Sequence, residues 1–110
     1  MKTIIVTITF ITLLINFSEA KNMGPSFSCR YKYNLSRVEK LICRSDALSD
    51  VDLQLNIAYT KASATLNLDK KKQIVKDQRA WLKTLAQCTN HDCIHTSMMT
   101  RLTEIDRLIK

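Results

Sequence analysis

Apolar residues recur every three or four positions along most of the chain after residue 36, with polar and charged residues between them. Three long stretches show this spacing, and in each the apolar positions fall on one side of an α-helix. The three stripes are Leu48, Val51, Leu55, Ala58/Tyr59, Ala62 and Leu66; then Ile74, Val75, Trp81, Leu82 and Leu85; then Ile94, Met98, Leu102, Ile105 and Leu108/Ile109. The pattern predicts three long amphipathic helices that bury these stripes against each other.

Residues that favour helix starts precede the stripes. Ser36 and Glu39 have the spacing of a capping box, which predicts a short helix up to Cys43. The candidate caps of the next two helices are Ser45 or Asp46 and Asn67 or Asp69, and these helices are predicted to reach about Leu66 and Gln87. Residues 88–92 are the predicted turn before the last helix. Because residues 26–110 contain no glycine or proline, hairpins are disfavoured, and we predict an all-α bundle of three long helices and one short N-terminal helix.

The first twenty residues have the pattern of a signal peptide. Lys2 precedes an uncharged apolar run over residues 3–17, and small residues at Ser18 and Ala20 predict cleavage after Ala20. The run is shorter than the roughly 20 residues that a membrane-spanning helix needs, so no stable membrane insertion is expected after cleavage. Residues 21–28 then form a predicted flexible leader, and residues 29–110 the folded domain.

Four cysteines are expected to stabilise this small exported domain: Cys29, Cys43, Cys88 and Cys93. Three pairings are possible. Cys88 and Cys93 flank the predicted turn between the last two helices, which favours a local bond and leaves Cys29 and Cys43 to join the leader to the short helix. Disulfides place the protein in the periplasm or outside the cell.

The chain is basic, with a formal net charge of +7. Lys72, Lys76, Arg79 and Lys83 are spaced by four, three and four residues, so they form one row on a helix face turned away from the apolar stripe. We call these four residues the cationic ridge. An ordinary solvated face is the alternative interpretation, but the ridge is the best candidate for a partner-binding surface. Export and the lack of interleaved aromatic residues argue against nucleic acid as the partner.

Histidine and methionine residues follow the second cysteine pair, in an arrangement that could hold zinc or copper: His91, His95, Met98 and Met99. Oxidised cysteines cannot bind metal, and the spacing matches no familiar zinc pattern, so we predict no metal and no cofactor. The only glycine is Gly24, which leaves no serine in a nucleophile elbow. Asp50 and Asp52 would point away from each other on a helix. The sequence therefore predicts a binding protein and no enzyme.

Several motifs together resemble the LprI-type lysozyme-inhibitor family of bacterial envelope proteins. They are Phe27-Ser28-Cys29, Val38-Glu39-Lys40-Leu41-Ile42-Cys43, Leu48 with Asp52, Leu55-Asn56 with Tyr59, Gln78-Arg79-Ala80-Trp81-Leu82, Cys88, Cys93-Ile94 and Arg101-Leu102. The resemblance implies a secreted or periplasmic helical domain with the disulfides Cys29–Cys43 and Cys88–Cys93. Most of the shared positions, such as Leu55, Tyr59 and Trp81, are interpreted as fold residues. Trp81 is expected to anchor the core beside Tyr59, and Gln78 to hold a hydrogen bond there.

Three functions are compatible with these features. The first is inhibition of lysozyme or a related peptidoglycan-cleaving enzyme. The second is an immunity or adaptor role against an envelope-targeted toxin, through the same ridge. The third is a periplasmic carrier of metal on histidine and methionine ligands. The basic charge of the chain would oppose approach to a basic lysozyme, which favours an acidic target or a very local contact.

Overall fold

The structure is a computed structural model, and it describes residues 24–110. The predicted signal peptide and residues 21–23 lie outside the described residues. A single 3-10 turn at Lys32–Asn34 precedes four helices: α1 (Arg37–Cys43), α2 (Asp46–Thr65), α3 (Leu68–Leu85) and α4 (His91–Leu108). The described part of the chain contains no strand. The predicted all-α bundle of one short and three long helices is confirmed.

Side-chain caps set where the helices begin. The capping box of α1 is present, because Ser36 Oγ accepts from the Glu39 amide at 3.1 Å while Glu39 Oε1 accepts from the Ser36 amide at 2.9 Å. Ser45 caps α2 and Asn67 caps α3, which decides between the candidates at each of these starts. Asn90 Oδ1 caps α4 by accepting from the Cys93 amide at 2.9 Å. The last helix therefore starts inside the predicted turn, because Asn90 satisfies its first amides.

The core lies mainly between α2 and α4, which make the most extensive contact in the bundle. The largest side chains with almost no solvent exposure come from three helices: Leu48, Ile74, Ile94, Met98 and Ile105. Leu82 was predicted to face inward, and this prediction is wrong, because half of its surface is exposed. Near its C-terminal end, α3 is separated from α2 by a groove, so the edge of its apolar stripe meets solvent there instead of a neighbouring helix.

Two disulfides and one pair of hydrogen bonds fix the leader and the α3–α4 turn. Cys29 is bonded to Cys43, which joins the leader to the end of α1, and Cys88 is bonded to Cys93 across the α3–α4 turn. The leader is also fixed by Ser26, whose amide and hydroxyl both donate to Asp52 Oδ2 on α2, at 2.7 and 2.6 Å. These contacts place residues 26–29 against the side of the bundle.

Candidate partner-binding surface

The cationic ridge occupies one exposed face of α3. All four of its members are exposed, and they lie opposite the buried residues Ile74 and Leu85 of the same helix. Within residues 24–110 the ion pairs are His91 with Asp92 and Arg101 with Glu104, so no ridge residue takes part in one. Four neighbouring cations that take part in no ion pair among residues 24–110 form a surface that attracts carboxylates.

A groove of about 410 Å³ runs between α2 and α3, next to the ridge. We call it the α2–α3 groove. Arg79 lines it and is also a member of the ridge, so the two features form one continuous surface on α3. The side chains that line the groove and give it its chemistry are Asp52, Asn56 and Tyr59 from α2 with Arg79, Trp81 and Leu82 from α3.

Contacts with α4 fix the α3 wall of this groove. Trp81 is partly buried against the core, and its indole Nε1 donates to Ser97 Oγ at 3.1 Å. Gln78 Oε1 accepts from Arg101 Nε at 2.8 Å. The expected core anchor at Trp81, near Tyr59, and the expected hydrogen bond of Gln78 are confirmed. Because Trp81 and Gln78 are both hydrogen-bonded to α4, the α3 wall of the groove is preformed and does not have to be ordered on binding.

The partner of Gln78 is a buried cation that sequence reasoning missed. Arg101 is 5% exposed, and besides Gln78 it contacts Glu104 Oε2 through Nη1 at 3.1 Å. Its Nη2 is buried and has no hydrogen-bond partner among residues 24–110. Helical spacing does carry a signal for this burial. Arg101 lies seven residues after Ile94 and four before Ile105, on the side of α4 that faces the core.

A second concavity, of about 580 Å³, lies beside the Cys29–Cys43 disulfide and was also missed. Lys40 and Arg44 line it together with Tyr33. Tyr33 is fully exposed, and its neighbour Tyr31 is 64% exposed. Both tyrosines lie outside the periodic stretches, where helical patterning gives no information about exposure.

The histidine and methionine residues considered as metal ligands do not all lie on one surface. His91 and His95 stack with their ring centroids 6.1 Å apart, and His91 Nε2 lies 3.2 Å from Ser45 Oγ. Met98 is completely buried in the core, whereas Met99 is 42% exposed. Residues 24–110 contain no cluster of three or more His, Cys, Asp or Glu side chains suited to a metal ion. Burial of Met98 removes it from the ligand set that the metal-carrier hypothesis requires.

Comparison with known proteins places the chain in a family. The family model described as lysozyme inhibitor LprI matches residues 29–105. This match covers both disulfides and all four helices except the end of α4, so the chain belongs to the LprI lysozyme-inhibitor family. No curated protein and no solved structure matches the chain. Among residues 24–110, no helix has the length and apolar character to cross a membrane.

Most of the motif residues of α2 and α3 that carry this resemblance line the α2–α3 groove; Leu48 and Ala80 do not. Leu55 is buried, and Tyr59 and Trp81 pack against the core, as expected for fold residues. Asn56 and Arg79, in contrast, line the groove from exposed positions. Exposed side chains at the rim of a groove contribute little to the core, which makes these positions candidates for contact with a partner.

Proposed function

We propose that this protein is exported and inhibits a lysozyme-type muramidase by binding directly to it. The observation that carries the proposal is the cationic ridge: Lys72, Lys76, Arg79 and Lys83 are exposed on one helix of a member of an inhibitor family and have no ion-pair partner among residues 24–110. Family membership supports a protein partner, and the two disulfides support a periplasmic or secreted location.

The chemistry of the target explains why cations are useful on such a surface. Glycosidases of this kind keep two carboxyl groups on either side of the bond that they cleave, in a cleft open to a long substrate. Lysine and arginine form charge-assisted hydrogen bonds with carboxylates that are stronger than neutral ones. A helix whose other face is fixed in a disulfide-bonded bundle presents these cations on a backbone that does not have to be ordered on binding, and only their side chains lose conformational freedom. Occupation of the cleft rim then excludes the glycan strand.

Charge also restricts the choice of target. The inhibitor has a net charge of +7, so long-range forces favour an enzyme whose cleft rim is acidic. A strongly basic lysozyme would be approached against repulsion and would have to be held by short-range contacts alone. We therefore propose that the natural target is a muramidase with an acidic surface around its cleft.

The experiment compares two double charge reversals that change the net charge equally. Lys76→Glu with Arg79→Glu removes the centre of the ridge, whereas Lys40→Glu with Arg44→Glu changes exposed cations beside the Cys29–Cys43 disulfide. We expect the ridge variant to raise the inhibition constant by about tenfold or more, equivalent to about 1.4 kcal/mol of binding free energy, and the control to change it by less than about threefold. Equal weakening by both variants would show that only net charge matters, and would contradict a binding role for the ridge.

A further inference from the structure

We propose that the α2–α3 groove is the specificity pocket of the inhibitor, and that it receives a projecting apolar or aromatic side chain of the muramidase next to a carboxylate of that enzyme. This inference rests on the proposed function and adds to it, because a ridge of lysines alone discriminates poorly between acidic surfaces. The groove supplies the shape and apolar contact that such a ridge lacks.

The first argument is continuity. Arg79 stands on the ridge and also lines the groove, so a protein bound across the ridge covers the mouth of the groove as well. No ion pair involves Arg79 within residues 24–110. A segment that reaches into the groove would bring its carboxylate to this guanidinium, with two parallel hydrogen bonds possible.

The second argument is the apolar content of the groove. Leu82 is 50% exposed beside Trp81 and Tyr59, which leaves a small apolar surface open to water at the mouth of a preformed cleft. Side chains that dominate binding energy are typically apolar or aromatic anchors that fill pockets of this kind, with a polar rim that excludes water. Asn56 and Arg79 provide such a rim.

The third argument concerns charge and size. Asp52 also lines the groove, but its Oδ2 already accepts two hydrogen bonds from Ser26, so the carboxylate is partly satisfied within the protein. Arg79, the other charged residue that lines the groove, has no ion-pair partner among residues 24–110. An acidic side chain on the target would complement its positive charge. A volume of about 410 Å³ lies toward the lower end of the range for ligand pockets, which suits one or two inserted side chains.

The test uses two matched substitutions and one spectroscopic probe. Leu82→Asp places a charge in the groove, and Ile57→Asp places the same charge on α2 at an equally exposed position that does not line the groove. We expect Leu82→Asp to weaken inhibition by roughly tenfold or more, and Ile57→Asp to weaken it by less than about threefold. Thermal unfolding of both variants verifies that they are folded.

The probe is Trp81, the only tryptophan of the chain. Replacement by 5-fluorotryptophan gives one fluorine resonance that reports on the groove of the unsubstituted sequence and does not depend on any surface variant. We expect this resonance to shift when the muramidase is added, and to stay in place when a chitin oligosaccharide is added alone. A shift with the oligosaccharide alone would assign the groove to a glycan and overturn the proposal.

Two further outcomes separate this inference from the function on which it rests. Full inhibition by Leu82→Asp together with an unshifted Trp81 resonance in the complex would overturn the pocket and leave the inhibitor function intact. Absence of both inhibition and binding by the unsubstituted protein, over a panel of muramidases, would overturn the inhibitor function and the pocket together.

Discussion

The hydrogen bond between Gln78 and Arg101 allows a quantitative prediction about what holds the α3 wall in place. Gln78→Leu keeps approximately the size of the side chain but removes the acceptor that lies 2.8 Å from Arg101 Nε. Arg101 is 5% exposed and its Nη2 already lacks a hydrogen-bond partner among residues 24–110, so water cannot replace the lost acceptor without rearrangement. Within the described part of the chain, Glu104 would remain as the one side chain hydrogen-bonded to this cation.

The expected cost follows from the burial of the charge. A hydrogen bond to a charged group contributes about 1.5–3 kcal/mol, so Gln78→Leu should lower the free energy of unfolding by that amount. For a domain of this size the melting temperature would fall by roughly 6–24 °C. Arg101→Met removes the buried charge itself, and the freed Gln78 amide is partly exposed beside the groove. We therefore expect Arg101→Met to be nearly neutral or stabilising.

Urea unfolding of the oxidised protein, followed by Trp81 fluorescence, measures these effects in a double-mutant cycle. In the Arg101→Met background, Gln78→Leu should cost less than about 0.5 kcal/mol, because the charge that needed the acceptor is gone. Glu104→Gln is a control at a half-exposed partner of the same cation, and it should cost at most about 1 kcal/mol. Equal costs of Gln78→Leu in both backgrounds would refute the claim that this residue acts by satisfying Arg101.

Two other predictions concern stability. Loss of the Cys29–Cys43 disulfide, which spans 14 residues, should destabilise the domain by about 3 kcal/mol, and loss of Cys88–Cys93, which spans 5, by about 2 kcal/mol. The measurement is urea unfolding of the two double-alanine variants. A larger loss of unfolding free energy from removal of the shorter ring than from the longer ring would contradict this order. Met98→Ala should cost about 2–5 kcal/mol, because Met98 is completely buried, whereas Met99→Ala should cost less than about 0.5 kcal/mol. Similar losses of unfolding free energy at both positions would show that α4 does not turn Met98 toward the core and Met99 toward solvent.

Much of the fold could be predicted from the sequence because the helices begin at residues that favour helix caps and bury the faces that apolar periodicity indicates. Ser36 and Glu39 form the predicted capping box. The apolar stripes of α2 and α4 are buried or partly buried where periodicity placed them, except that at the end of α4 Ile109 packs against the core and Leu108 is half exposed. The end of α3 was less predictable. Its last turn stops at Leu85, before the predicted Gln87, because the following residues lead into the disulfide-bonded turn. Caps and periodicity are local properties, so they can be recognised without knowledge of the tertiary structure.

The candidate site was only partly predictable, since it depends on how helices pack. The sequence identified the ridge, because its four members share one helix face. The α2–α3 groove combines side chains from two helices, and their separation follows from the tertiary packing. For the same reason Leu82 was assigned to the core, although the groove leaves it half exposed. Arg101 shows the opposite case: its spacing from Ile94 and Ile105 is that of a core residue, but a charged side chain is not expected in a core.

Inhibition itself is the most direct test of the central claim. The oxidised protein, without its predicted signal peptide, is titrated against muramidases chosen to range from acidic to basic, and residual hydrolysis of peptidoglycan is measured. We expect at least one enzyme with an acidic cleft rim to lose its activity with a one-to-one end point, and the apparent inhibition constant to rise with salt concentration. Full activity of every enzyme in the presence of excess folded protein, with both disulfides verified by mass spectrometry, would contradict the inhibitor function.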